Sequence, residues 1–114
     1  MTYRVLVILT ALSAAGCFGQ PQLTWRQKMD SSAGVERTQA VMAVGERRNI
    51  AAIPHLIRSL EDDDVSVRMA AIDSLRQMTG KDFGYVAWDD EVTRRAAVKK
   101  WREWWSQARV TADK

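Results

Sequence analysis

The chain has 114 residues, a formal net charge of +3, one histidine and one cysteine. That length supports one domain at most, a lone cysteine excludes an intrachain disulfide, and a single histidine beside it leaves no ligand set for a zinc site. So mild a positive charge is not in itself the footprint of a nucleic-acid binder.

The chain opens MTYRVLVILTALSAAGCFGQ. One cation, Arg4, precedes the apolar run VLVILTALSAA, and small residues then lead into Cys17, which is the order of an export signal. The run has 11 residues, short of the roughly 20 that a membrane-spanning helix needs. Residues 12–17, LSAAGC, resemble a bacterial lipobox, although Ala14 stands where that motif prefers leucine. The resemblance implies cleavage between Gly16 and Cys17, diacylglyceryl modification of Cys17 and acylation of the new N-terminus. The alternative is an ordinary secretory signal cut after Ala15. Each buried methylene contributes about 0.8 kcal/mol, so two or more acyl chains hold a protein stably at a bilayer where one does not. Loss of Arg4 with residues 1–16 takes the formal charge from +3 to +2.

Residues 17–33 are rich in Gly, Pro, Gln and Ser without a sustained period and read as the lipidated N-terminus and a flexible tether. Residues 34–109 carry helical periodicity and no period-two alternation. A first helix is expected from about Gly34 to Arg47. Ile53, Leu56, Ile57 and Leu60 mark a second, with Pro54 in its first turn. Ala71, Ile72, Leu75 and Met78 mark a third, stopped at Gly80. The last is expected from about Asp90 to Arg109, and residues 110–114 form a tail.

An internal pattern R-x-x-A-[VI]-x-x-[VL] recurs. Arg37, Ala40, Val41 and Val44 are followed 31 residues later by Arg68, Ala71, Ile72 and Leu75, and after a further 26 by Arg94, Ala97, Val98 and Trp101. Periods of this size indicate helical repeats that bury their apolar faces against their neighbours. With Ala52-Ile53-Pro54-x-Leu56, the acidic turn and Val67-Arg68-x-x-Ala71-x-x-x-Leu75, residues 49–80 resemble HEAT-type repeats of the short bacterial kind. Thr79-Gly80-x-Asp82-Phe83-Gly84-Tyr85 followed by Arg94, Trp101, Trp104 and Trp105 is similar to an ending found on such repeat proteins. The resemblance implies an all-α, short HEAT-like stack of about four helices behind the signal and tether. It also implies a structural ladder between repeats, in which Arg37, Arg68 and Arg94 pair with a turn acid such as Asp64.

Chemistry is sparse. The acidic run Glu61-Asp62-Asp63-Asp64 lacks the alternating ligands, central glycine and closing glutamate of a calcium loop, and reads as a turn in which Asp64 or a neighbour caps the next helix. His55 lies beside its helix's apolar stripe. Ser59, Ser66 and Ser74 read as surface serines with no base to activate them, and Asp89, Asp90 and Glu91 as the cap of the last helix. Related repeats of the phycobilin-lyase type act on pigments, yet no catalytic position carries over. No catalytic residue, cofactor or metal is therefore expected.

On a helical wheel at 100° per residue with Val98 at 0°, Trp105 falls at about −20°, Trp101 at about −60° and Trp104 at about −120°, while Arg109, Arg102, Arg95 and Lys99 occupy about 20° to 100°. Trp101 and Trp105 are thus expected in the core, and Phe83, Tyr85 and Trp88 as cover for the open end of the stack. Arg95, Lys99, Arg102 and Trp104 are the expected partner contacts. The reading is an exported scaffold, lipid-anchored to a bacterial membrane, that contacts another envelope protein and binds neither nucleic acid nor metal. The alternative is a structural envelope protein whose basic helix face lies on anionic lipid or wall polymer.

Overall fold

The computed structural model describes residues 23–112; Gly16, Cys17 and the expected leader lie outside them. Five α-helices are present and no strand is found among the described residues: α1 (Trp25–Met29), α2 (Gly34–Glu46), α3 (Ile53–Ser59), α4 (Val65–Thr79) and α5 (Glu91–Ala112), with a 3-10 turn over Ile50–Ala52 leading into α3.

Part of the expected tether is folded. Thr24 starts α1 with a reciprocal capping box: its hydroxyl accepts the Gln27 N–H, and its own N–H donates to Gln27 Oε1 at 2.8 Å. A five-residue helix does not persist on its own propensity. Its docking sustains it, through Met29 in the core and Trp25 edge-on to His55 with ring centroids 5.1 Å apart. Residues 24–29, which the sequence assigns to the tether, are therefore part of the folded body.

The core follows the helical periods closely. Ile53, Leu56, Ile57 and Leu60 are all buried, as are Ala40, Val41 and Val44 of α2 and Val67, Ala71, Ile72 and Leu75 of α4. Helix α2 packs chiefly on α4, α1 packs on α2, and α3 packs on both α4 and α5. The α2–α4 crossing is close at Gly45, where a Cβ would sit 2.3 Å from Ser74 Oγ. Ser74 is buried and donates to the Val41 carbonyl at 3.1 Å, and Ser59 is buried and donates to the His55 carbonyl. Both serines belong to the helix packing rather than to the surface.

Asp64 caps α4, its carboxylate accepting the Ser66 N–H at 2.8 Å. Gly80 ends α4 in the left-handed region at φ 72°, a conformation that costs glycine little. Residues 81–90 replace the helix that would open a third repeat, and side chains staple this loop to the body. The buried Tyr85 donates its hydroxyl proton to the Leu60 carbonyl, Arg68 Nε donates to the Ala87 carbonyl at 2.9 Å, and Trp101 Nε1 donates to the Asp82 carbonyl at 3.2 Å. Asp90 precedes α5 and accepts the Thr93 N–H. Helix α5 continues three residues beyond Arg109, so the tail expected from residue 110 begins as helix.

Candidate functional site

The repeat arginines build one bonding scheme, though not through the acid expected. Each reaches the carbonyl five or six residues before it: Arg37 to Ser31 at 2.8 Å, Arg68 to Asp62 at 2.8 Å and Arg94 to Asp89 at 3.0 Å. Arg37 then spans to the next turn and meets Asp62 with two hydrogen bonds, Nε to Oδ2 at 2.9 Å and Nη2 to Oδ1 at 3.0 Å. That contact holds the guanidinium above its ordinary basicity. Arg68 spans forward to a backbone carbonyl, Ala87. The ladder acid is therefore Asp62 rather than Asp64, and among the described residues only the first of the three arginines is matched by a carboxylate. Burial raises the Tyr85 phenol above its ordinary value, against the opposing influence of the nearby Arg94 and Arg68.

The four expected contact residues do not form one patch. Arg95 pairs with Glu91 one turn back, and Arg102 reaches across to Glu61. Lys99 is exposed on α5. Trp104 faces away from them, about 160° around the helix from Arg102, and is half-buried against Phe83 and Trp101, the latter at 5.6 Å between ring centroids. Trp105, expected in the core, is half-buried, while Trp88, expected to cover the stack, is 72% exposed. Of the three tryptophans of α5, only Trp101 is fully enclosed.

Two surface grooves stand out. One of about 330 Å³ runs between α2 and α4, with Met42 and Met69 on its two walls beside Thr38, Ser74 and Gln77. Both methionines are nearly half exposed. A second, of about 480 Å³, lies between α3 and the C-terminal half of α5, lined by the buried Ile57, the half-buried Trp105 and the exposed Pro54, Arg58, Arg102 and Arg109. The wheel carried a signal for this second groove, because it sets Trp105 beside Arg109 and Arg102. It gave no sign of what lies opposite.

Among the described residues, no three His, Cys, Asp or Glu side chains come together as a metal site, and no helix is long and apolar enough to cross a membrane. Nor is any fully buried side-chain nitrogen or oxygen among them left without a hydrogen-bond partner. No curated protein and no solved structure matches the chain. A family model for HEAT repeats matches residues 23–100, a span that opens at the α1 cap and takes in the arginine ladder and the start of α5. With its helices paired in that order and its arginines tying turn to turn, the chain belongs to the HEAT-repeat family.

Proposed function

We propose that this protein is a non-catalytic interaction module that holds another protein at a bacterial membrane surface. HEAT repeats generally mediate contacts between proteins, and the family is typically a helical scaffold without catalysis. The observation that carries the reading here is the α2–α4 groove, which Met42 (49% exposed) and Met69 (44% exposed) line from neighbouring helices. Methionine is flexible and polarizable, and suits surfaces that adapt to a partner. Ser59 and Ser74 bond to carbonyls, and the ladder arginines hold turns.

Lipidation at Cys17 supplies the anchor in this reading. Six residues lie between Cys17 and the Thr24 cap, at most roughly 25 Å of extended chain. The folded body then stays close to the bilayer, and its partner is an envelope protein. A photo-crosslinking side chain at position 42, introduced in living cells, is expected to give one discrete adduct that Met69→Glu abolishes while the helix content is retained. An adduct indifferent to Met69→Glu would remove this face from consideration. The mature mass of the isolated protein is expected to carry acyl chains, and Cys17→Ser is expected to release it from the membrane.

A further inference from the structure

The α3–α5 groove differs from the α2–α4 face in kind. Among the described residues its lining contains three guanidiniums, from Arg58, Arg102 and Arg109, and no carboxylate. Its apolar lining comprises Ile57, which is buried, Trp105, which is half-buried, and the exposed Pro54 and Val110. The opening of about 480 Å³ falls in the range of sites that enclose small groups. One wall is the end of α5, where residues 106–112 are exposed or half-buried. Two of the arginines are steadied from outside the groove, Arg58 by Asp30 at 2.8 Å and Arg102 by Glu61. Exposed pairs of this kind hold each other weakly, so they orient the guanidiniums without saturating their donors.

We propose that this groove binds an extended acidic segment of a partner protein, with an apolar side chain seated on Ile57 and Trp105 and flanking carboxylates on Arg58, Arg102 and Arg109. The inference rests on reading the chain as a protein-binding module, and it concerns a separate surface from the methionine groove. Arginine at all three positions fits carboxylates, because the planar guanidinium offers paired donors to two oxygens at once. A bilayer surface brings charge to the arginines but nothing apolar to Ile57 and Trp105, since it is flat and presents headgroups first. An acidic segment with an apolar anchor satisfies both.

The test uses the full chain in nanodiscs of phosphatidylcholine and a set of fluorophore-labelled decapeptides in which glutamates flank a central Leu-Phe pair at varied spacing. Fluorescence anisotropy is expected to show saturable binding that weakens at least tenfold when Glu is replaced by Gln, when Leu-Phe is replaced by Ser-Ser, and when the protein carries Arg102→Gln with Arg109→Gln. These two arginines are exposed, and circular dichroism of the double variant checks that it stays folded. A third variant, Trp105→Ala, is expected to weaken binding of the Leu-Phe peptide and to leave the Ser-Ser peptide unchanged. Absence of binding by every peptide overturns the proposal, as does binding that ignores the arginine substitutions. Loss of peptide binding in phosphatidylglycerol nanodiscs, with no loss in phosphatidylcholine, assigns the groove to anionic lipid and also overturns it. Because the crosslink at position 42 reads a different surface, failure here leaves the interaction-module reading standing, and failure there leaves this one measurable.

Discussion

At the level of single residues, the α2–α4 contact turns on Gly45. Glycine inside a helix normally costs up to about 1 kcal/mol relative to alanine, so Gly45→Ala taken alone would stabilise α2. Here the added Cβ would meet Ser74 Oγ at 2.3 Å and Ser74 Cβ at 2.6 Å, with the Ser74 backbone behind them at 3.1 Å. A rotamer change relieves the first contact but not the second. Gly45→Ala is therefore expected to destabilise by about 1–3 kcal/mol, the range for overpacked cores, and Gly45→Ala with Ser74→Gly to recover part of it in urea titrations. A stabilised single variant would show that the helices separate freely at this point. His55 offers a second check. Burial beside Trp25, and then the charges of Arg58 and Arg26, hold its pKa below the ordinary 6.5, with Asp30 acting the other way. The folded protein resists protonation that the unfolded chain accepts, so stability is full above pH 6.5 and falls as the pH drops below it. The melting temperature is expected to fall between pH 7.5 and 5.5, and His55→Gln to flatten that slope.

At the level of elements, the ladder makes an ordering of two neighbouring aspartates. Asp62 receives two bonds from Arg37 and the Asp64 N–H at 2.9 Å, whereas Asp64 receives the Ser66 N–H. Loss of a helix cap costs about 1 kcal/mol. Asp64→Ala should show that much, and Asp62→Ala clearly more, because it strands a guanidinium and also opens the turn. Equal denaturation midpoints for the two variants would contradict the ladder as drawn. Why the sequence points to Asp64 is physical: a run of three aspartates presents the same chemistry at each position, and only the turn's path decides which one faces Arg37. Helices α2, α3 and α4 are legible because most of their periodic apolar positions are buried, although Met78 is only half-buried and Ser74 joins the buried face. Helix α1 is not, since five residues hold no period. Its one local sign is Thr24 with Gln27 three residues on, a capping box that is common enough to pass unnoticed. Helix α5 runs past Arg109 because Val110, Thr111 and Ala112 carry no breaker, and nothing in those three residues marks where its support ends.

At the level of the whole molecule, the stack is closed at one end by a loop and one helix. A folded body of this size buries a modest share of its surface, and two repeats fall short of the three that a stacked array usually needs. Residues 99–105, KKWREWW, supply the lid: periodicity places Trp101 in the core, where it lies, but sets Trp105 too deep. The wheel places Trp105 nearer Val98 than Trp104, yet the 81–90 loop folds over the other side of α5. Phe83 then lies 4.8 Å from Trp101 and 6.4 Å from Trp104 between ring centroids, and Trp105 is left at the groove. The lid thus predicts a graded series. Trp101→Ala removes a fully enclosed ring that also donates to the Asp82 carbonyl, and a loss of about 3–5 kcal/mol is expected from large-to-small changes of this kind. Domains hold about 5–15 kcal/mol in total, and one this small belongs at the low end, so the variant should lose its cooperative melt near 37 °C. Trp104→Ala, half-buried, should keep a cooperative transition at a lower temperature. Trp88→Ala, on the exposed side of the same loop, should stay within about 0.5 kcal/mol of the parent. Thermal unfolding followed by circular dichroism orders the three. If Trp88 and Trp101 cost the same, residues 81–90 do not close the stack and its stability must come from the α2–α4 interface alone.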